Sequence, residues 1–526
     1  MNTLDELALP VMLSFLPVIL LLPFLLEACT RIGFVRPNAR RHPLFYVFTP
    51  VLSLLVYISL AVLFWHPIIA FAAWLLVYVG LTVISNVKNK VLGEPLNGPD
   101  LETARHLFIY PEFYVAYVGE TRVVLVFGLF TAGVVTSLAL ETSFSQHLPF
   151  LPDNLAWAIT LVAWCGILWM LAKLLARVFT QARARKLGFL FDTNTDAVRF
   201  GLFPLMPLYG LMLMDRAENP ALRKKHASLK APASAPDLIA IQAESYFDLD
   251  RLYQRIDGFE GHKWQQLEAL RTAGAATGTI EVPAWGASTM QSEFAFLSGV
   301  PNDALGIDCI NPYQRAAHTG LETLATRLKA AGYRTICIHP AKKEFFRRET
   351  VIPKMGFDDF IGIEAFEDAP RFGLYVSDEA LADVIEETMA THRQASDAPL
   401  FLFVITIESH GPWKPGRLAD WIDEAAATET DPTRDPSFAL YRQHMDNVTE
   451  MFERLGPEAP KESLTRPRTM AMYGDHLPAY HELFERHGLD GKAVDYVLWH
   501  SDKRLEQEDG LRIEDFADRF LKIAGF

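Results

Sequence analysis

Apolar residues are unevenly spread along the chain. Long apolar runs occupy residues 7–26, 44–65, 67–85, 123–140 and 155–176, uncharged but for Lys173 in the last. Each is near the ~20 residues a helix needs to cross a bilayer core. Five such runs predict membrane spans rather than buried helices of a soluble protein. Pro10, Pro17 and Pro23 should distort the first. That run carries Asp5 and Glu6 in place of a basic leader, so it reads as a retained span, not a cleaved signal. Tyr46, Trp65 and Trp157 lie near run ends, as interfacial anchors do. A sixth stretch, 200–214, is apolar but short and holds two prolines.

Basic clusters follow the first run (Arg31, Arg36, Arg40, Arg41) and the fifth (Arg177, Arg183, Arg185, Lys186). The positive-inside rule places both in the cytoplasm. If 200–214 crosses, there are six spans and the remainder of the chain lies outside. If it lies along the surface, the remainder is cytoplasmic. The charges leave both open.

Beyond a basic, then Ala/Pro/Ser-rich linker at 223–236, the pattern changes. Short apolar runs at 238–242, 334–338, 400–407, 469–473 and 493–499 predict strands. Amphipathic stretches at 320–331, 378–391 and 438–455 predict helices. This alternation predicts an α/β sandwich around a largely parallel sheet. The predicted division is a membrane domain over 1–216, a linker over 217–236 and a catalytic domain over 237–526.

A net charge of −14 argues against nucleic acid as a partner. Four cysteines make no disulfide framework, although Cys309 and Cys337 could pair in an oxidising compartment.

The candidate chemistry lies where predicted strands end. Glu244-Ser245, His339, Glu408-Ser409-His410 and Gly474-Asp475-His476 each follow one. Open α/β sheets bind ligands beyond the carboxyl ends of their strands. Glu, Asp and His together suit a hard or borderline divalent cation: Mn²⁺, Mg²⁺ or Zn²⁺. The stretch 280–301 adds a Pro-Trp-Gly turn, Ser288-Thr289 and a predicted helix over 290–297. A helix start is an anion site, and a hydroxyl there is placed to act on a phosphate. Ser288 with Gln291 also reads as a plain capping box. The basic Lys342-Lys343 and Arg347-Arg348 can equally be read as a solvated charge run.

Taken in order, these blocks resemble the lipoteichoic acid synthases and related phosphoglycerol transferases of the alkaline phosphatase and sulfatase superfamily. The blocks are Glu244-Ser245, Ser288-Thr289 with Glu293-Phe294, His339 with 345–348, 354–358, Ser377-Asp378-Glu379, Ser409-His410 and Gly474-Asp475-His476. The resemblance spans about residues 237–502. It implies an alkaline phosphatase-like catalytic domain behind a polytopic helical membrane domain. It further implies one divalent metal, Mn²⁺ foremost, held by Glu244, Thr289, Asp475 and His476, with Thr289 as nucleophile. His410, Arg348, Phe346 and His339 would face the substrate. Phosphatidylglycerol would be the donor, a glycan or glycerophosphate polymer the acceptor, and the domain would face outward from the plasma membrane. Phe346 and Arg347 depart from the tryptophan and asparagine of those synthases, which bears on the head group. The sulfatase signature Cys-x-Pro-x-Arg is absent around Thr289. The competing readings are a phosphoethanolamine transferase, a phosphodiester or sulfate-ester hydrolase, and a non-catalytic membrane sensor.

Overall fold

The computed structural model describes residues 8–32, 39–100, 128, 130–135, 152–215, 219–223, 226–259, 263–314, 320–413, 432–460, 465–489 and 491–526. The chain forms two compact units, Met1–Ala217 and Glu218–Phe526.

The first unit is helical: α1 (Ala8–Ser14), α2 (Leu16–Ala28), α3 (Pro43–Phe64), α4 (Pro67–Leu92), α5 (Asp153–Val178), α6 (Gln181–Leu187), α7 (Thr193–Phe200) and α8 (Leu202–Leu213). Among the described residues, three helices are long and apolar enough to cross a membrane: Pro43–Phe64, Pro67–Lys90 and Asn154–Val178. Their outward faces carry exposed apolar side chains such as Val51, Val162, Trp169 and Leu174, as lipid-facing helices do. The expected first span is broken at Phe15, between α1 and α2, just before Pro17. The expected span at 123–140 lies mostly outside the described residues.

The stretch at 200–214 is a 12-residue helix, α8. At 1.5 Å per residue it is about 18 Å long, short of a ~30 Å hydrocarbon core. Its first turn is held by a buried carboxylate: Glu27 accepts the N–H groups of Leu202 and Phe203, each at 3.0 Å. Side-chain oxygen at a helix start satisfies donors that otherwise have no partner.

The second unit is built on an eight-stranded sheet. Its strands are β1 (Asp237–Ala243), β2 (Ala276–Glu281), β3 (Arg334–Ile338), β4 (Asp359–Ile361), β7 (Leu400–Ile405), β8 (Arg468–Gly474), β9 (Ala493–His500) and β10 (Leu511–Arg512), in the order β10-β2-β9-β8-β1-β7-β3-β4. β5 (Arg371–Phe372) and β6 (Tyr375–Val376) form a separate hairpin. The central strands β8-β1-β7-β3 are parallel, and β9 runs antiparallel between β8 and β2. β1, β7 and β8 are buried along their full length, which is why they read as continuous apolar runs. The five predicted strands are all present. β2, β4 and β10 carried weak signals, being Gly/Thr-rich, three residues long and two residues long respectively.

Helices cover the sheet in two packing groups. α9 (Thr289–Ser298), α10 (Leu324–Ala330) and α14 (Ile513–Ala524) form one; α12 (Asp378–Ala395) and α13 (Pro436–Leu455) pack on each other in a second; α11 (Arg348–Lys354) follows β3. Phe296 of α9 lies against Phe403, Tyr473 and Phe516, with ring centroids 5.8, 5.0 and 6.2 Å away. Helix starts are capped by side chains: Thr323 for α10, Ser377 for α12 and Asp435 for α13. Such caps contribute about 1 kcal/mol each. The expected linker is drawn onto the second unit, where the His226 ring meets the Ser298 carbonyl at 2.9 Å. Cys309 and Cys337 are both buried and are not joined by a disulfide, so the pairing they could make is not made here.

Candidate metal centre and active site

Register places the site. Gln242 pairs with Ile405 and Ala243 with Gly474, so β1, β7 and β8 end level with one another. The next residues, Glu244, Thr406 and Asp475, therefore meet at one edge. The Glu244 N–H donates to Thr406 Oγ1 at 2.9 Å, and its carbonyl accepts the Ser409 hydroxyl. Ser245 takes up the left-handed region, φ 55°, uncommon for a residue with a side chain. That turn aims its N–H at Asp475 Oδ1 (2.8 Å) and its hydroxyl at Glu244 Oε1 (3.0 Å). Gly474 permits the close approach: a Cβ there would lie 2.3 Å from the Tyr246 carbonyl oxygen.

Glu244, Asp475 and His476 are buried, and their ligand atoms lie within 4.8 Å of one another. The His476 Nδ1 faces the Leu477 carbonyl at 3.0 Å and must donate to it. In the neutral ring this leaves Nε2 with its lone pair. That lone pair faces Asp475 Oδ2 at 3.2 Å and Glu244 Oε1 at 3.6 Å. Asp475 Oδ2 is buried without a hydrogen-bond partner. Burial and the Glu244 charge push Asp475 up to about 7, against the opposing effect of His476, the Ser245 N–H and the Thr289 hydroxyl. Three acceptors converging on one point, one of them orphaned, fit a divalent cation.

Thr289 is the first residue of α9, and its hydroxyl lies close enough to the Asp475 carboxylate to oppose the rise in its pKa. Ser288 does not cap this helix. It is left-handed, φ 70°, with no side-chain cap bond, and Gln291 donates instead to the Ile310 carbonyl at 3.2 Å. The capping-box expectation is corrected accordingly, and the helix start is left open. The Ser292 hydroxyl ties the next turn to the Asp475 carbonyl.

Arg348, expected on the substrate, is 2% exposed. It forms a two-pronged ion pair with Glu293, one turn along α9 from Thr289, with Nε at 3.2 Å from Oε2. Burial opposes the Arg348 charge, but Glu293 outweighs it and raises the pKa. Tyr313 donates to the same carboxylate. His339, also expected on the substrate, has both ring nitrogens engaged: Nδ1 with the Ile405 carbonyl (3.0 Å) and Nε2 with Arg348 Nη1 (3.3 Å). Burial and Arg348 hold its pKa well below the usual value. Phe346 is partly exposed, with the Arg348 guanidinium 5.2 Å from its ring centre. Phe346 and Arg347 are both left-handed, φ 54° and 58°. His410 is partly exposed; its Nδ1 donates to the Gly411 carbonyl at 2.9 Å, and Tyr375 lies against its ring.

Behind His410 sits a buried polar cluster. Buried Glu408 accepts from the Asp378 N–H (2.7 Å), His444 Nδ1 (2.9 Å) and Asn447 Nδ2 (2.9 Å). One carboxylate thus joins the exit of β7 to the starts of α12 and the middle of α13. Glu408 was visible as a polar strand-end residue; His444 lies within an amphipathic helix and carried no signal.

The profile of the sulfatase family matches residues 236–526. The chain belongs to the sulfatase family. The capsular polysaccharide biosynthesis protein RkpI of Rhizobium meliloti is 29% identical over 381 residues, covering 70% of this chain and 68% of that protein. The integral membrane protein lipooligosaccharide phosphoethanolamine transferase A (EptA) of Neisseria meningitidis shares the fold over 98% of this chain and 95% of its own, at TM-score 0.51 and 13% identity. The phosphoglycerol transferase GacH of Streptococcus pyogenes, in complex with sn-glycerol-1-phosphate, aligns over 57% of this chain and 77% of its own at TM-score 0.42 and 20% identity.

Proposed function

We propose that the protein is a membrane phosphotransferase that moves glycerophosphate from phosphatidylglycerol to a glycan or polymer hydroxyl. The observation that carries this reading is the meeting of the His476 Nε2, two buried carboxylates and Thr289 at an uncapped helix start. Family membership and the block resemblance support it, and the name of the polysaccharide-biosynthesis relative agrees with a glycan acceptor.

Glu244, Asp475, His476 and Thr289 would hold one divalent cation, Mn²⁺ by resemblance. It would acidify the threonine hydroxyl and offset phosphoryl charge. Thr289 Oγ, its proton released to solvent, forms a bond to phosphorus as the bond to the diacylglycerol oxygen breaks, giving a glycerophosphoryl-threonine. His410, held by its Nδ1 on Gly411, would relay a proton from solvent through Nε2 to that leaving oxygen. An acceptor hydroxyl then displaces Thr289 Oγ and returns a proton to Nε2. Phe346 would flank the head group. Arg348 and His339 would act mainly through their internal bonds, the first by fixing Glu293 and with it the Thr289 helix. We place the catalytic unit on the outer face of the plasma membrane, behind a multi-pass anchor; a C-terminal reporter scoring cytoplasmic would sink that placement.

The test is peptide mass spectrometry of the full-length protein incubated with Mn²⁺ and phosphatidylglycerol, with phosphatidylethanolamine in parallel. A glycerophosphoryl adduct on Thr289, absent from Thr289→Ala, is expected. A phosphoethanolamine adduct instead would reassign the donor. No adduct and no diacylglycerol release from either lipid would defeat the reading.

A further inference from the structure

Among the described residues of Glu218–Phe526, one large apolar side chain is exposed: Leu374, at 60%. The many others like it all fall in the helical first unit. Leu374 occupies the two-residue turn of the β5–β6 hairpin after Gly373, whose φ is 69°. Beside it, exposed Arg371 donates to the Leu374 carbonyl at 3.1 Å.

A two-stranded ribbon is barely stable alone, so its base must be held. Phe372 meets the His444 ring edge-on at 5.2 Å, and Tyr375 meets the His410 ring at 5.6 Å. Val376 is buried, and Asp378 bonds Glu408 two residues on. The base is thus fastened to the strand-end edge that carries the site, while the tip presents a leucine beside an arginine. A leucine left largely in water forgoes the free energy of burial. An apolar side chain paired with a cation is the composition of an interfacial anchor, one part entering the acyl boundary and the other meeting lipid phosphates.

We infer that this hairpin tip inserts into the surface of a phospholipid bilayer and seats the His410 edge against it. The lipid contact stands on the exposure and chemistry of the tip; only its purpose, presenting a donor lipid, rests on the proposed function.

The test uses the full-length protein with Cys29 and Cys165 replaced by serine. A bimane probe is attached at Leu374→Cys or, as control, at Ser396→Cys. Ser396 is exposed and ends α12 close to where β7 begins, at the opposite sheet edge. The protein is reconstituted in phosphatidylcholine/phosphatidylglycerol vesicles with brominated acyl chains. Loss of bimane emission at 374 and not at 396 is expected. Equal emission at both positions, or no loss at 374, overturns the inference, including a tip covered by another protein instead. Thr289 adduct formation is read in the same vesicles. Quenching without an adduct would fault the proposed reaction alone, and an adduct without quenching would fault the hairpin alone.

Discussion

Arg348 shows how much one side chain can change meaning between sequence and structure. Its place after an aromatic residue in a resembling block assigns it to substrate. In the fold its guanidinium is spent on Glu293 and His339, both buried. Removing one member of a buried pair strands the other, at a cost of about 3–5 kcal/mol. Arg348→Ala should therefore lower the thermal midpoint of the detergent-solubilised protein strongly. Arg348→Met combined with Glu293→Leu should recover most of that loss, because no charge remains unpaired. A direct substrate role would instead leave stability nearly unchanged and raise KM. None of this was legible from residue order, since ion pairing across 55 positions depends on where α9 and α11 come to rest. The meeting of Glu244, Asp475 and His476 was legible, because all three directly follow strands whose apolar runs mark their ends.

At the scale of elements, the site depends on β1 and β8 ending in register and on the backbone around Gly474 packing closely. Gly474→Ala drives a methyl group against the Tyr246 carbonyl, 2.3 Å away. The strand end must shift, and Asp475 moves with it. We expect this variant to keep its helical content while losing at least tenfold in metal affinity, the loss typical when groups supporting a ligand are disturbed. Isothermal titration with Mn²⁺ would check this; unchanged affinity would mean that the turn absorbs the methyl. The central strands were readable because they are buried on both faces. The short, half-exposed β4 and the Gly/Thr-rich β2 offered too little apolar surface, and hairpin β5–β6 is too brief to leave a period.

For the whole molecule, metal and protons should both set stability. A cation bound only by the folded chain stabilises by about 2.7 kcal/mol at a hundredfold excess over Kd. Mn²⁺ added to chelator-stripped protein should raise the thermal midpoint, and Asp475→Asn should abolish the gain. Away from the site, burial and the Asp248 charge push Asp495 up to about 7, although Arg251 opposes them. The folded chain then keeps a proton that the unfolded chain releases near the ordinary 3.8. That contribution is present at low pH and is lost as pH rises through about 7. His339 acts in reverse: its lowered pKa gives stability that is lost as pH falls below 6.5. The two oppose each other in the parent protein. The midpoint of Asp495→Asn, measured against the parent in chelator, should therefore climb as pH rises from about 4 to 7. A flat difference would place Asp495 in its charged form throughout.

The placement of the four cysteines carries a consequence for reading sidedness in intact cells. Cys309 and Cys337 are closed to reagents while the fold holds, whereas Cys29 and Cys165 are exposed. Cys165 lies in the middle of an apolar helix of membrane length, where a charged maleimide does not enter. Cys29 sits at the end of α2, just before the arginine-rich loop. The unmodified protein is thus its own compass: a membrane-impermeant maleimide should add a single label, on Cys29. Whether that label appears on whole cells or only on inverted vesicles reports the side on which that loop lies, with no mutation made.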